Sequence, residues 1–494
     1  MSRQVKCYYM SSKYLTVLFP YGTVITSIKL FTGRVTHLNP KLTEIADDIR
    51  AKSTIGAFMK QFNILKCFTD AGFKKEKGYS LIDIITFLIT LVFTNRNLFA
   101  FMRGNGYNKP FAKDVVYRFI GNPMSNWRLC LINIAHQVIY THLRKLTRLN
   151  RSIALVIDDT LIDRSRSNKV ELLARVKDHV TNTYKRGFRM LTIGWTDGVS
   201  FIPLMFSLLS SADKKQRLYE SGPEVPPNSP GYARRQEAIC SATQVAIDLV
   251  GEIMKSIRCF KYVLFDSWFA WPSFIFAIKD KKRDVICMLK DIPTIFYAYN
   301  KKIYRLSDLY SVIEKNKRSK EILASVTVLL HGRRVRIVFV RNRDKGAQRK
   351  WIALLSTDLS LSEEEIIRIY AMRWDIEVFF KMCKSFLRLA KEYQVRIYDA
   401  MIATTSIVCI RYILLSYESR FNKDHRAFGG IFYECCDEVA EITFEQAFVY
   451  IMDLLVKTLH EIPFLSDELV DQILERMITN LPYVLKKRLL ANTA

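Results

Sequence analysis

Two short, uninterrupted apolar runs, each ending on an aspartate, constrain this chain more than any other feature. Ile153-Ala154-Leu155-Val156-Ile157 runs into Asp158-Asp159-Thr160, and Tyr262-Val263-Leu264-Phe265 runs into Asp266. An apolar run of this length without alternation reads as a strand buried on both faces. Such strands belong to sheets covered by helices, and the carboxyl ends of the strands are where sites are usually built. A carboxylate there is costly, because like charges a few ångströms apart raise each other's pKa. A divalent cation removes that cost. Two such cations about 4 Å apart, held by three carboxylates, can activate a water or a hydroxyl and stabilise the leaving oxygen of a phosphodiester.

The rest of the chain is ordered around these runs. Phe188–Trp195 and Val199–Leu208 read as strands flanking Thr196-Asp197-Gly198, a hairpin-turn sequence in which Asp197 is a turn residue. A loop rich in Pro and Gly, Ser221 to Gly231, leads into a helix predicted from about Arg234 to Ile257. Asp266 is followed by Trp268 and Phe269, read as packing residues, then by a helix and a strand from Val285 to Lys290. Residues 296–358 are rich in β-branched residues and basic turns and read as a β-rich insertion; helical spacing returns at Ser362 and lasts to the end. Ahead of the first run, residues 1–40 read as a hairpin or loose arm around Pro20-Tyr21-Gly22, and 41–150 as short helices. A helix ending near Arg103, a turn, and a helix from Phe111 to Ile120 are similar to a helix-turn-helix, a pattern that helical bundles share.

Charge narrows the class of partner. The 494 residues carry 75 Lys and Arg against 48 Asp and Glu, a net charge of +27, which repels itself in a compact fold unless a polyanion supplies the missing charge. Nucleic acid is the first candidate. An anionic membrane is the second, but the basic residues are spread through the chain rather than gathered on one amphipathic helix. The two most apolar stretches, Leu81–Phe93 and Met401–Leu415, carry Asp83 and Arg411, fall short of a span of about 20 residues, and are expected to be buried core helices. No signal peptide is read at the start, where Lys13 breaks the apolar run. The ten cysteines include no CxxC pair, which suits buried thiols in a reducing cytosol, and the histidines offer no zinc motif.

A third carboxylate should come from a helix packed on the sheet. At about 100° per residue, Tyr370, Arg373, Glu377 and Lys384 share an arc of roughly 60° on one helix face. Glu377 can then ligate metal while Arg373 and Lys384 hold phosphate oxygens. The same spacing also suits a solvated face with salt bridges at i, i+4.

The pattern Tyr370-x2-Arg373-x3-Glu377-x6-Lys384 matches the Y-R-E-K signature of the insertion-sequence 4 family of DDE transposases. The order of elements over residues 150–390 also resembles that family: a first Asp after an apolar strand, a second after Leu264-Phe265, then a β insertion before the Glu helix. The resemblance implies an α/β (α+β) fold: an RNase H-like mixed sheet flanked by helices, with an inserted β subdomain and helical N- and C-terminal regions. It implies a catalytic core in residues 151–295 and 359–395, the insertion in 296–358, DNA binding in 41–150, and a candidate dimerisation region in 396–494. Asp158, Asp266 and Glu377 would bind two Mg²⁺ ions, for which Mn²⁺ can substitute. Asp158 directly follows the apolar run and takes the family position; Asp159 is read as a local turn residue.

Tyr370, Arg373 and Lys384 would contact DNA. Trp351 resembles the aromatic residue that stacks on a flipped base, although a tryptophan capping the insertion's small core fits equally well. Twelve Lys and Arg between Thr141 and Met190, against five acids, would hold phosphates without reading sequence. The expected activity is cut-and-paste transposition by hydrolysis and strand transfer on double-stranded DNA, performed by a homodimer in the synaptic complex, with cytoplasmic, nucleoid-associated localisation. A structure-specific nuclease on the same core and a non-catalytic DNA-binding descendant are the alternatives.

Overall fold

A computed structural model describes residues 53–104, 112–178, 181–315, 320–344, 346, 349–421, 428–462 and 465–482, with Tyr14–Leu15 and Ile28–Lys29. The chain forms two compact units, one of residues 51–441 and one of residues 1–50 with 442–494.

The larger unit is built on one twelve-stranded sheet. Its strands are β1 (Ala154–Asp163), β2 (Leu173–Asp178), β3 (Thr183–Thr196), β4 (Phe201–Leu209), β5 (Arg217–Tyr219), β6 (Tyr262–Phe265), β7 (Asp284–Leu289), β8 (Tyr297–Tyr299), β9 (Lys302–Tyr304), β10 (Ile322–Leu330), β11 (Arg333–Arg341) and β12 (Trp351–Ser356). At its heart the order is β4-β3-β1-β6-β7. The three strands β4, β3 and β1 are antiparallel neighbours, and β6 and β7 follow in parallel with β1. This mixed sheet, flanked by helices, has the layout of an RNase H-like core. The two apolar runs are adjacent central strands, in register from Ala154 opposite Tyr262 to Ile157 opposite Phe265.

Three local expectations are corrected. First, β1 does not stop at Ile157. It continues to Asp163 because the long β3 carries it, pairing Asp158 with Thr192 and onward to Asp163 with Gly187. Second, the β-rich insertion is not a sheet of its own. β12 pairs with the core strand β7, and β11, β10, β8 and β9 extend the same sheet, which covers an edge that an isolated core would expose. Third, the helix expected from Arg234 to Ile257 is two helices, α7 (Pro230–Ala238) and α8 (Ala242–Ser256), because the Ser241 hydroxyl accepts from Gln244 N at 3.3 Å and starts a new helix.

Ahead of the sheet lie α1 (Thr54–Gln61), α2 (Ile64–Asp70), α3 (Leu81–Thr90), α4 (Leu98–Gly104), α5 (Lys113–Ile120) and α6 (Trp127–Val138). The turn between the expected helix-turn-helix pair, 105–111, lies outside the described residues. Between sheet strands lie α9 (Pro272–Asp280, after β6) and α10 (Leu306–Val312, after β9), and after the last strand come α11 (Glu363–Ala371), α12 (Trp374–Ser385) and α13 (Tyr398–Phe421). α13 is longer than expected, and among the described residues it is the one helix long and apolar enough to cross a membrane; here 94% of that apolar window is buried inside the fold. Its Arg411 is fully buried, with Nη1 at 2.6 Å and Nη2 at 3.0 Å from the two Glu392 carboxylate oxygens, and it donates to the carbonyls of Leu88 and Ile89. All nine described cysteines are free thiols, seven of them buried.

The second unit contains the C-terminal part of α14 (Phe428–His460) and α15 (Asp467–Thr479), joined by a small core of Met452, Val456, Val470 and Leu474. Of the N-terminal arm, the structure describes one antiparallel ribbon, Tyr14–Leu15 with Ile28–Lys29. The rest of that arm lies outside the described residues.

Candidate active site

β6 stops at Phe265 while β1 continues, so Asp266 comes level with Asp158 at the point where the two apolar strands part. Asp266 is fixed by a tight turn in which Trp268 N donates to its Oδ1 at 2.9 Å, and Asp159 N donates to Asp158 Oδ1 at 2.8 Å. Burial, and then the neighbouring Asp266, push Asp158 up to about 7. Burial raises Asp266 as well, against the opposing pull of the Trp268 amide and Arg373. Two desolvated carboxylates, with Asp158 further hindered by the charge of Asp266 and both raised by Asp159, mark a site suited to a cation.

Asp159 lies on the opposite face of β1, as strand alternation requires. There it takes Nη2 of Arg189 at 2.5 Å, and the Arg189 guanidinium lies 4.9 Å from the ring centre of Trp268. Asp159 is therefore part of an ion pair rather than a turn residue, and the cation beside it is already supplied. Trp268 is 48% exposed and is not the packing residue expected, whereas Phe269 is buried. Asp197 caps its hairpin, accepting from Val199 N at 3.1 Å and Ser200 N at 2.9 Å.

The Glu-bearing segment is not one straight helix. Between α11 and α12 the chain tightens into turns in which Met372 N and Arg373 N donate to the carbonyls three residues back, Ile369 O at 3.1 Å and Tyr370 O at 2.9 Å. Arg373 is the N-cap of α12. A constant 100° per residue does not run through this break, so the stripe is assembled by contacts instead. The Arg373 guanidinium lies 5.8 Å from the Tyr370 ring centre. Its Nη2 donates to Glu377 Oε1 at 2.6 Å, and its Nη1 stands 3.6 Å from Asp158 Oδ2. Burial pushes the Tyr370 phenol up, so it stays protonated. α12 is pinned at its start by Thr196, whose hydroxyl donates to Asp375 Oδ2 at 2.6 Å, and along its length by Phe379 against Phe201 and Tyr412.

Asp158, Asp266, Tyr370, Arg373 and Glu377 are thus brought to one place. Among the described residues, no three His, Cys, Asp or Glu side chains converge closely enough to hold a metal ion, because Glu377 is turned to Arg373. The donor set nonetheless fits a hard divalent cation: all three are carboxylates, Asp158 and Asp266 are both held above the usual carboxylate range, and a guanidinium stands in for the cation between Asp158 and Glu377.

Lys384, at the other end of α12, donates to Thr160 Oγ1 at 2.5 Å. It opens on a cavity of about 500 Å³ that runs along β1 past Asp159 and is lined by Lys177, Lys185, Arg189, Lys384 and Lys391, with Asp163 and Asp178. Three of these cations come from the basic stretch before Met190. Nothing in the local sequence of Lys391 separates it from a solvated lysine. Trp351 is not joined to the carboxylates by any described contact. Its ring packs against Tyr310 at 5.0 Å and Phe339 at 5.1 Å, so it caps the apolar core of the insertion strands.

Residues 108–301 match the family model described as a DDE superfamily endonuclease, and residues 239–403 match the one described as a transposase DDE domain. Asp158 falls in the first match, Glu377 in the second, and Asp266 in both. No curated protein matches the chain. The two matches support a DDE transposase, with nuclease activity and DNA as its substrate; enzymes of this superfamily generally use divalent metals.

Proposed function

We propose that this protein is a transposase of the insertion-sequence 4 type that moves a DNA element by a cut-and-paste route, two protomers bringing the two element ends together. The observation that carries the reading is the meeting of Asp158 and Asp266, on adjacent central strands, with Glu377 of α12 one guanidinium away. Asp158, Asp266 and Glu377 are the residues to hold two Mg²⁺ ions, with Mn²⁺ able to substitute. Such ions, when bound, activate the attacking water or 3′ hydroxyl and stabilise the leaving oxygen.

The protein's own part is placement. β1 and β6 hold two carboxylates at fixed separation inside the sheet. Arg373 has a planar fork suited to paired phosphate oxygens, and Tyr370, kept protonated by burial, flanks it. Lys384, Lys391, Lys177 and Lys185 line a channel wall that holds the sugar-phosphate backbone without reading bases. Hydrolysis at the element end frees a 3′ hydroxyl, and the same seat then presents a target phosphodiester to it, with no covalent protein intermediate.

The test uses purified protein, Mg²⁺ and a duplex bearing the DNA that flanks this reading frame, with a second duplex as target. Wild-type protein should cut at the element end and join the 3′ end to the target; Asp266→Asn should retain duplex binding and lose both steps. Cutting without joining would make the protein a nuclease on the same core, and binding alone a non-catalytic DNA-binding descendant.

A further inference from the structure

We propose that Arg373 is a gate on the metal seat: in the DNA-free protein its guanidinium keeps Glu377 away from the aspartates, and a DNA phosphate, by taking the guanidinium, releases the three carboxylates to bind divalent ions together. This rests on the reading above, in which Asp158, Asp266 and Glu377 are the ligands.

Four observations support it. The contacts are unequal: Nη2 makes a charge-assisted bond to Glu377 at 2.6 Å, while Nη1 stands only loosely off Asp158 at 3.6 Å. The arginine therefore holds Glu377 firmly and Asp158 weakly. Glu377 is 36% exposed against 19% for Asp158, so it is turned further outward than its proposed co-ligand. Among the described residues no three-carboxylate cluster exists, so the tri-carboxylate seat requires Glu377 to leave its present partner. The Nε of Arg373 is buried without an acceptor. One face of the fork is thus unused, and a phosphate that accepted from two of its nitrogens would satisfy it better than the present arrangement does.

The backbone favours the same exchange. Arg373 caps the N-terminus of α12, the positive end of the helix, where a cation is unfavourable and an anion favourable. The guanidinium is held there by Glu377 and Asp158 and by the ring of Tyr370, and a phosphate arriving at the same point meets both the guanidinium and the helix end. DNA and metal then bind with positive coupling, and the protein keeps a weakened metal seat until a phosphate is in place.

The experiment measures Mn²⁺ binding by electron paramagnetic resonance and calorimetry, with and without a short mixed-sequence duplex in low salt, on the full chain. Wild-type protein should bind Mn²⁺ weakly alone and about ten-fold more tightly with duplex. Arg373→Gln should bind Mn²⁺ about ten-fold more tightly than wild type without duplex, and duplex should add little. Arg189→Gln, which removes a nearby cation paired to Asp159, should change Mn²⁺ affinity far less than Arg373→Gln does. Circular dichroism confirms that each variant is folded. If Arg373→Gln binds no more tightly than wild type, or if Arg189→Gln tightens binding as much, the gate is overturned. Placing Asp158→Asn on the Arg373→Gln background tests the underlying reading separately: retained Mn²⁺ binding there would remove the carboxylate seat itself, whereas loss of binding keeps the seat and leaves the gate to be judged on the other arms.

Discussion

Lys384 Nζ donates to Thr160 Oγ1 at 2.5 Å, two residues along β1 from Asp158. With Thr196 bonded to Asp375 at the start of α12, this contact ties both ends of the Glu377 helix to the antiparallel half of the core. It also leaves the ammonium at the mouth of the basic cavity. Lys384→Ala should weaken duplex binding to a similar degree for all sequences and lower the slope of log affinity against log salt by about one. A salt titration followed by fluorescence anisotropy measures this; an unchanged slope would remove Lys384 from the phosphate-binding set.

The aspartates should make the metal-free protein sensitive to pH in a definite direction. Asp158 sits at about 7 in the folded chain, above the usual carboxylate range of about 4 in an unfolded one. A group raised on folding favours the folded state fully below its unfolded pKa, and that contribution is lost as pH rises through the folded value. Asp158→Asn removes this penalty, so without divalent ions it should melt a few degrees above wild type at pH 8, by a smaller margin at pH 5, and match it only below about pH 4. Mg²⁺ should raise the wild-type melting temperature at pH 8 and leave that of the variant nearly unmoved. Differential scanning fluorimetry at these pH values decides it.

Arg411 and Glu392 form a buried pair under α13, with side chains 0% and 2% exposed. Arg411→Leu leaves Glu392 buried and takes the donors from the carbonyls of Leu88 and Ile89, so it should cost about 3–5 kcal/mol. The double variant Arg411→Leu/Glu392→Leu should recover part of that loss, because no uncompensated charge remains. Urea midpoints of the three proteins provide the measurement.

Gly194 of β3 lies where a Cβ would come within 2.1 Å of the Phe201 ring. That ring cannot simply swing away, since it packs at 5.2 Å against Phe379 on α12. Gly194→Ala should cost about 1–3 kcal/mol by overpacking and lower cleavage by shifting the helix that carries Glu377. Thermal melts and a cleavage assay on the same preparation test both effects.

The heart of the fold was legible because burial on both faces strips polarity from a strand. Ile153–Ile157 and Tyr262–Phe265 have no other plausible place, and their register brings Asp158 and Asp266 together. The continuation of β1 through Asp159, Thr160 and Asp163 was hidden, since polar residues there look like a loop until the far longer β3 pairs with them. The pairing of β12 with β7 was hidden for the same reason: a long-range partner leaves no mark on local sequence. Tyr370, Arg373 and Glu377 were found by spacing, yet a helical wheel assumes an unbroken helix. It allowed the i, i+4 pair of Arg373 with Glu377 but could not show the break between Tyr370 and Arg373, nor that Trp268 faces solvent beside Asp266.

The unequal lengths of β1 and β6 set the three proposed ligands at different degrees of constraint. Asp158 lies in mid-strand, its backbone bracketed by neighbours on the β3 side, so it is the fixed reference against which the rest of the site is measured. Asp266 sits on a turn just past a strand end, and Glu377 on a side chain that already has an alternative partner. In the proposed site, adjustment as DNA is seated, cut and released falls on the second and third acids, while the first acts as the anvil.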